Sequence, residues 1–196
     1  MLYTRRGDGG TTKTLHCDQR LSKSSAVAEA LGTVDELNSW LGFVKTQCQG
    51  STLPRWQGRT LTLAGVQQNL FIIQAELAGA PPRRGKPLTV TVDKVKKMEK
   101  IIDQIEKELP PIKSFFIPGA TAVGALLDYA RAVARRAERR VVAATLVAAT
   151  PSEIDGLIKI GPHSLAYLNR LSSLLYALAR LVNHQSGIKE QAPDYK

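Results

Sequence analysis

The segment Tyr3–Lys13, YTRRGDGGTTK, carries the densest set of chemically useful side chains in the chain. Gly7, Gly9 and Gly10 allow close backbone approach. Thr4, Thr11 and Thr12 supply hydroxyls, and Arg5, Arg6 and Lys13 supply positive charge around the carboxylate of Asp8. Open backbone N–H groups beside hydroxyls and cations suit a phosphate chain with its magnesium. A segment this polar equally suits a solvated N-terminal arm. It is not a Walker A loop, which needs Gly-x4-Gly-Lys-Ser/Thr before a helix. Gly85-Lys86-Pro87 is no substitute, because proline has no N–H to donate.

A second concentration lies far along the chain. Arg131, Arg135, Arg136, Arg139 and Arg140 fall within ten residues, with only Glu138 among them. Arg131, Arg135 and Glu138 stand at i, i+4, i+7 and share a helix face. One reading is a solvated ladder in which Glu138 pairs with Arg135, contributing about 0.3–0.5 kcal/mol. The other is an anion site, since the guanidiniums outnumber the carboxylate and a phosphate would relieve their repulsion.

Three smaller sets are open in the same way. Asn169, Ser172, Ser173 and Tyr176 make a polar stripe that could bond a base or ribose, or simply face solvent. Thr33, Asp35, Glu36 and Asn38 form a polar patch. Asp35 is either a surface carboxylate or the partner of an arginine, within the chain or across a subunit boundary, while Glu29 and Glu36 read as surface residues. Phe115-Phe116 either plug a bundle end or wall a large flat ligand. His16, His163 and His184 share no metal-ligand spacing, and Cys17 and Cys48 read as free thiols.

The elements that must position these groups read as helices. Ser24 or Ser25 caps a first helix with Val27, Leu31, Val34, Leu41 and Val44 at helical spacing. A second runs from about Leu61 to Leu77 and stops at Gly79-Ala80-Pro81-Pro82. A third starts at Thr91 or Asp93 and buries Val95, Met98, Ile102, Ile105 and Leu109, with the Lys94–Glu108 charges on its solvated face. A fourth follows Pro118-Gly119 to about Ala149. A fifth starts near Pro162 and carries Leu165, Leu168, Leu171, Leu175, Leu178 and Leu181. The expected fold is all-α: a five-helix up-and-down bundle in one domain. At 196 residues and 43% hydrophobic the chain can bury such a core. The net charge of +10 favours polyanionic partners. With no apolar run of membrane-spanning length and no apolar leader after Met1, the expected location is the cytoplasm.

The chain resembles the PduO-type ATP:cob(I)alamin (corrinoid) adenosyltransferases from Tyr3 to about Arg180. The resemblance rests on YTRRGDGGTT, Ser22-Lys23, EALGTVDELNSWLG (Glu29–Gly42), FFIPG (Phe115–Gly119), RAVARRAERRVV (Arg131–Val142) and YLNRLSSLLYALAR (Tyr167–Arg180). It implies a ferritin-like bundle over residues 1–187, with 1–23 as an ATP-binding loop; residues 188–196 read as a tail, and GIKEQAPDYK does not match the family's usual tail closely. It also implies a homotrimer with active sites at subunit interfaces. By position, Thr4, Arg6, Gly7, Thr12, Lys13 and Lys23 would hold ATP from the loop side. Arg131, Arg135, Arg136, Glu138, Arg139 and Asn169 would line the nucleotide pocket. Asp35 would pair with Arg135 of a neighbouring subunit, and Phe115 would pack beneath the corrin ring and remove its lower axial ligand.

The implied reaction moves the 5′-deoxyadenosyl group of ATP to cobalt(I), giving adenosylcobalamin and triphosphate, with Mg2+ bound mainly through the phosphates. A reductase and a B12-dependent acceptor enzyme are the implied partners, with no membrane and no nucleic acid. Arg6, Lys13, Ala120, Asp128 and Ser173 depart from the residues often found in that family. Two rival readings stay open: a non-catalytic ATP or corrinoid sensor or delivery protein of the same fold, and a basic helical nucleic-acid-binding protein. The second lacks the interleaved aromatics of a single-strand binder.

Overall fold

The computed structural model describes residues 3–14, 20–48, 63–147 and 160–195. Within them the chain forms a short antiparallel hairpin, β1 (Thr11–Lys13) and β2 (Arg20–Ser22), and five helices. These are α1 (Ala26–Gln47), α2 (Leu63–Leu77), α3 (Val92–Glu108), α4 (Ala122–Val147) and α5 (Pro162–Gln185). His16, Cys17, the expected start of α2 at Leu61 and the end of α4 near Ala149 lie outside the described residues.

Each helix follows its apolar period. α1 is capped by Ser25, whose hydroxyl accepts from the Ala28 N–H at 3.2 Å; such a cap contributes about 1 kcal/mol. It buries Ala30, Val34, Leu37, Leu41 and Val44. α4 buries small residues (Ala130, Ala134, Ala137, Ala144), which lets α1 and α5 approach closely on either side. In α3 the buried stripe is Val95, Met98, Ile101 and Ile105; Ile102 and Leu109, expected there, are half-buried. Adjacent isoleucines compete for one stripe, and contact with α5 selects Ile101. Cys48 ends α1 as a half-buried free thiol, its pKa pushed up by burial.

Residue pairs between helices fix their directions. Glu29 meets Arg140 and Glu36 meets Arg136, so α1 and α4 are antiparallel. Asn69 of α2 donates to the Tyr167 hydroxyl of α5 at 3.0 Å. Glu76 meets Gly161 and Ser164, so these two helices are antiparallel as well. Glu99 pairs with Arg170, and Pro110 accepts from Arg180, so α3 runs parallel to α5. The order is up, down, up, down, up, as expected. Tyr167 is buried deeply enough to push its pKa up to about 12.

Two features depart from the sequence reading. The N-terminal segment carries the β1–β2 hairpin, and its strands stay at the surface where threonine and lysine side chains remain solvated. The segment after α5 is not a free tail: Glu190 and Gln191 bond back to α5 and to the α3–α4 loop.

Candidate functional site

The N-terminal loop is shaped by an arginine that sequence reasoning did not single out. Arg20, on β2, donates from Nε to Thr11 Oγ1 at 2.8 Å, and from Nη2 to the Thr11 carbonyl at 3.0 Å and to the Arg6 carbonyl. The Lys23 N–H donates to the Gly10 carbonyl at 2.9 Å. These bonds fold the loop onto the residues before α1. A Cβ at Gly7 would stand 3.2 Å from Lys23 Nζ, tighter than ordinary contact, so a side chain there would push the ammonium away by a few tenths of an ångström. Thr4, Arg6 and Lys13 are exposed, and Thr12 is half-exposed, around this corner. An arginine at hairpin spacing from Thr11 was the available signal, but strand pairing was not expected there.

On α4 the structure sorts the arginines by partner. Arg136 bonds the Glu36 carboxylate, and Arg140 pairs with Glu29 at 3.3 Å. Both glutamates are half-exposed, as surface residues should be, yet from α1 they neutralise two of the five arginines. The Arg136 pKa is raised, first by the bond it donates to Glu36. The local ladder with Arg135 does not form: Glu138 instead accepts from Asn169 Nδ2 at 2.8 Å. Asn169 Oδ1 accepts from Arg170, which pairs with Glu99 at 2.9 Å, so the network crosses from α4 through α5 to α3. Arg135 and Arg139 are exposed on the outward face of α4 with no partner among the described residues. At about 100° per residue they lie opposite Ala130, Ala134 and Ala137.

Arg131 stands apart. Its Nε is buried without a hydrogen bond, 3.9 Å from Asp128 Oδ1, and its guanidinium lies 5.8 Å from the Tyr176 ring centroid. A buried guanidinium N–H left open is costly and suits an added acceptor. Burial raises the Asp128 pKa, opposed by Arg131 and a Gly119 backbone bond and reinforced by Glu190. Tyr176 is half-buried and its pKa is also pushed up by burial, while Ser173 faces solvent. Ser172 is buried and donates to the Asn169 carbonyl at 3.0 Å.

Asp35 is exposed on α1 and accepts from Gln74 of α2 at 3.3 Å. Within one protomer it therefore faces α2, whereas Arg135 faces outward from α4. The two phenylalanines divide their roles. Phe116 is half-buried beneath the Arg180 guanidinium, 5.0 Å from its ring centroid, and closes the bundle end. Phe115 is 79% exposed. Gly124 allows α4 to meet α5 here, because a Cβ would collide with Asn183 Oδ1.

The Gly7–Lys23 corner and Phe115 lie at opposite ends of the bundle. The Gly7–Lys23 corner precedes Glu29, which meets Arg140 near the end of α4. Phe115 belongs to the loop before Thr121, which bonds Asn183 near the end of α5. From Thr121 to Arg140 α4 advances about 30 Å at about 1.5 Å per residue.

Comparison with known proteins places relatives beside this geometry. The sequence pattern described as Cobalamin adenosyltransferase matches residues 2–182. A Corrinoid adenosyltransferase of Bacillus subtilis is 38% identical over 187 residues, covering 95% of this chain and 89% of the relative. Corrinoid adenosyltransferase PduO of Citrobacter freundii is 37% identical over 190 residues, covering 94% of this chain; the chain spans only 50% of that protein's length. A variant PduO-type ATP:corrinoid adenosyltransferase from Lactobacillus reuteri, solved with cobalamin and ATP, superposes with a TM-score of 0.80 at 29% identity. That match covers 98% of this chain and 99% of the other.

Proposed function

The chain belongs to the cobalamin adenosyltransferase family, and from that premise we propose that it transfers the 5′-deoxyadenosyl group of ATP to the cobalt(I) of a corrinoid. A Co–C bond forms at C5′ while the C5′–O bond breaks, and triphosphate leaves with the electron pair. Cobalt(I) is nucleophilic enough to need no general base. The protein has to align the reactants and stabilise charge growing on the leaving chain.

The residues suit that work. On this reading Thr4, Arg6, Gly7, Thr12, Lys13 and Lys23 cradle the triphosphate from the loop. Arg135 and Arg139 meet it with guanidiniums that have no partner among the described residues, and Arg131 offers its open Nε. Arg136, Glu138 and Asn169 hold the nucleotide side of the pocket through the bonds that already order them. Phe115 packs beneath the corrin and leaves cobalt without a lower ligand, which eases reduction from cobalt(II). The donor set suits Mg2+ delivered on the phosphates: the loop offers threonine hydroxyls, and among the described residues no cluster of three or more His, Cys, Asp or Glu could hold a metal.

The observation that carries the reading is the separation of the two ends. The triphosphate is bonded to the reacting carbon, so its cradle must stand beside the cobalt. The loop corner stands about 30 Å along α4 from Phe115, and a second copy packed against the first can bring a loop beside a Phe115 that its own protomer holds apart. On this reading the loop of one copy faces the arginine helix of its neighbour. The family resemblance implies three copies, a homotrimer, in which Asp35 would cross to Arg135 of its neighbour. We place the enzyme in the cytoplasm, where ATP is abundant, served by a reductase that supplies cobalt(I) and a B12-dependent enzyme that takes the product.

The test is incubation with ATP, Mg2+ and chemically reduced cobalamin. Loss of the cobalt(I) absorbance with matching release of triphosphate is expected. ATP or corrinoid binding without either signal would favour a sensor or delivery protein. Salt-sensitive RNA binding that ATP does not displace would favour the nucleic-acid reading.

A further inference from the structure

The segment after α5 is fastened to the loop that carries Phe115, and its anchor is a buried ion pair. Arg180 and Glu190 have side chains only 7% and 13% exposed, with Nε donating to Oε2 at 3.0 Å. Glu190 Oε1 accepts from Asn183 Nδ2 at 3.1 Å. Arg180 also donates to the Pro110 carbonyl at 3.2 Å and covers the ring of Phe116. The Ile117 N–H donates to the Gln191 carbonyl at 2.8 Å, and Thr121 donates to Asn183 Oδ1 at 2.7 Å. The α3–α4 loop is thus tied down at Pro110, Phe116, Ile117 and Thr121, with exposed Phe115 held between two of the ties.

A buried guanidinium requires a counter-charge. Glu190 supplies the one carboxylate that Arg180 meets among the described residues. Docking of the C-terminal segment and seating of the loop are therefore coupled through one side chain. An exposed aromatic on fastened flanks is preorganised: its rotation and retreat are limited before any partner arrives.

We propose that the C-terminal segment is a latch that sets the position of Phe115, with Glu190 as a positioning residue for the corrinoid side of the site. The proposal rests on the reading of Phe115 as the group that packs beneath the corrin. The experiment is a double-mutant cycle on the full chain with Glu190→Ala, Phe115→Ala and the pair. It reads steady-state kinetics for both substrates and the absorption spectrum of four-coordinate cobalt(II)alamin formed with ATP.

Glu190→Ala is expected to raise the corrinoid KM about tenfold and weaken the four-coordinate signal, with the ATP KM within about twofold of wild type. In the Phe115→Ala background it should add nothing further. Additive losses in a damaged Phe115→Ala protein would overturn the latch alone, as would equal changes in both KM values or an unchanged spectrum. A Phe115→Ala protein with wild-type rates and spectrum would overturn the reading of Phe115, and the latch with it. Should Glu190→Ala fail to fold, Glu190→Gln keeps the shape and an acceptor for Asn183 and carries the same cycle.

Discussion

Phe115 and Asp128 show how differently single residues at one bundle end can be tested. Phe115→Ala removes an exposed ring that supports nothing else, so stability should hardly change. The route that starts from cobalt(II) is expected to slow about tenfold or more, and the reaction of pre-reduced cobalt(I) to lose less. Equal losses by the two routes would argue against removal of the lower ligand. Asp128 makes a pH prediction. Burial raises its pKa, so the folded chain holds that proton more tightly than the unfolded chain. Its contribution is neutral below the ordinary carboxylate pKa and becomes a penalty as pH rises through the folded value. Asp128→Asn is therefore expected to raise Tm at pH 7 by about 1–3 °C and to lose that advantage as pH falls below about 4. A gain independent of pH, read by calorimetry, would assign the effect to packing instead. Arg131, Glu190 and Tyr176 face the same carboxyl, so the profile should be repeated in an Arg131→Ala background, which removes the charge that opposes the shift.

At the scale of the elements, α5 begins without a side-chain cap of its own, at Gly161 followed by Pro162. Its first turn is satisfied from α2. Glu76 accepts from the Gly161 N–H at 2.6 Å, from Ser164 Oγ at 2.5 Å and from Thr89 Oγ1 at 3.0 Å. One carboxylate thus joins the end of α2, the segment before α3 and the start of α5, and it adds negative charge where a helix N-terminus favours it. Glu76→Ala is expected to cost about 2–3 kcal/mol in urea unfolding, and Glu76→Gln about half of that. A loss below about 0.5 kcal/mol would show that water replaces the carboxylate at no net cost. Among the described residues, Arg20 and Lys23 fasten the N-terminal hairpin. On the proposed reading its stability and its fitness to receive phosphate come from overlapping residues.

For the whole molecule the decisive prediction is complementation. Lys23→Ala damages the loop half of the proposed site and Arg135→Ala the α4 half. Each alone should be nearly inactive. Co-assembled as a mixed oligomer, the two are expected to recover roughly a quarter of wild-type activity, the chance that a random interface draws its intact loop from one variant and its intact helix from the other. No recovery in a verified mixed oligomer would place both halves in one protomer. Light scattering of the wild-type protein on a sizing column checks the trimer itself. The exposed aromatic group of Tyr129 against Trp40, with centroids 4.6 Å apart, and Phe43 beyond it, lies on the α1 and α4 surface such an assembly could cover.

The amino-acid sequence by itself determined the five helices and their order, because apolar spacing and capping residues are local properties that each segment carries alone. It also offered one stretch where glycines, hydroxyls and cations are adjacent, the composition that phosphate chemistry would need. Only the tertiary structure decided which of those groups are free to act. Glu29 and Glu36 take up Arg140 and Arg136, and Asn169 takes up Glu138, leaving Arg135 and Arg139 open. It also decided that Phe115 is open while Phe116 is covered, that Arg20 shapes the loop, and that Glu190 fastens the last segment. Such partnerships depend on side chains brought together from distant positions, as Glu36 and Arg136 are. No period or spacing within one segment encodes them.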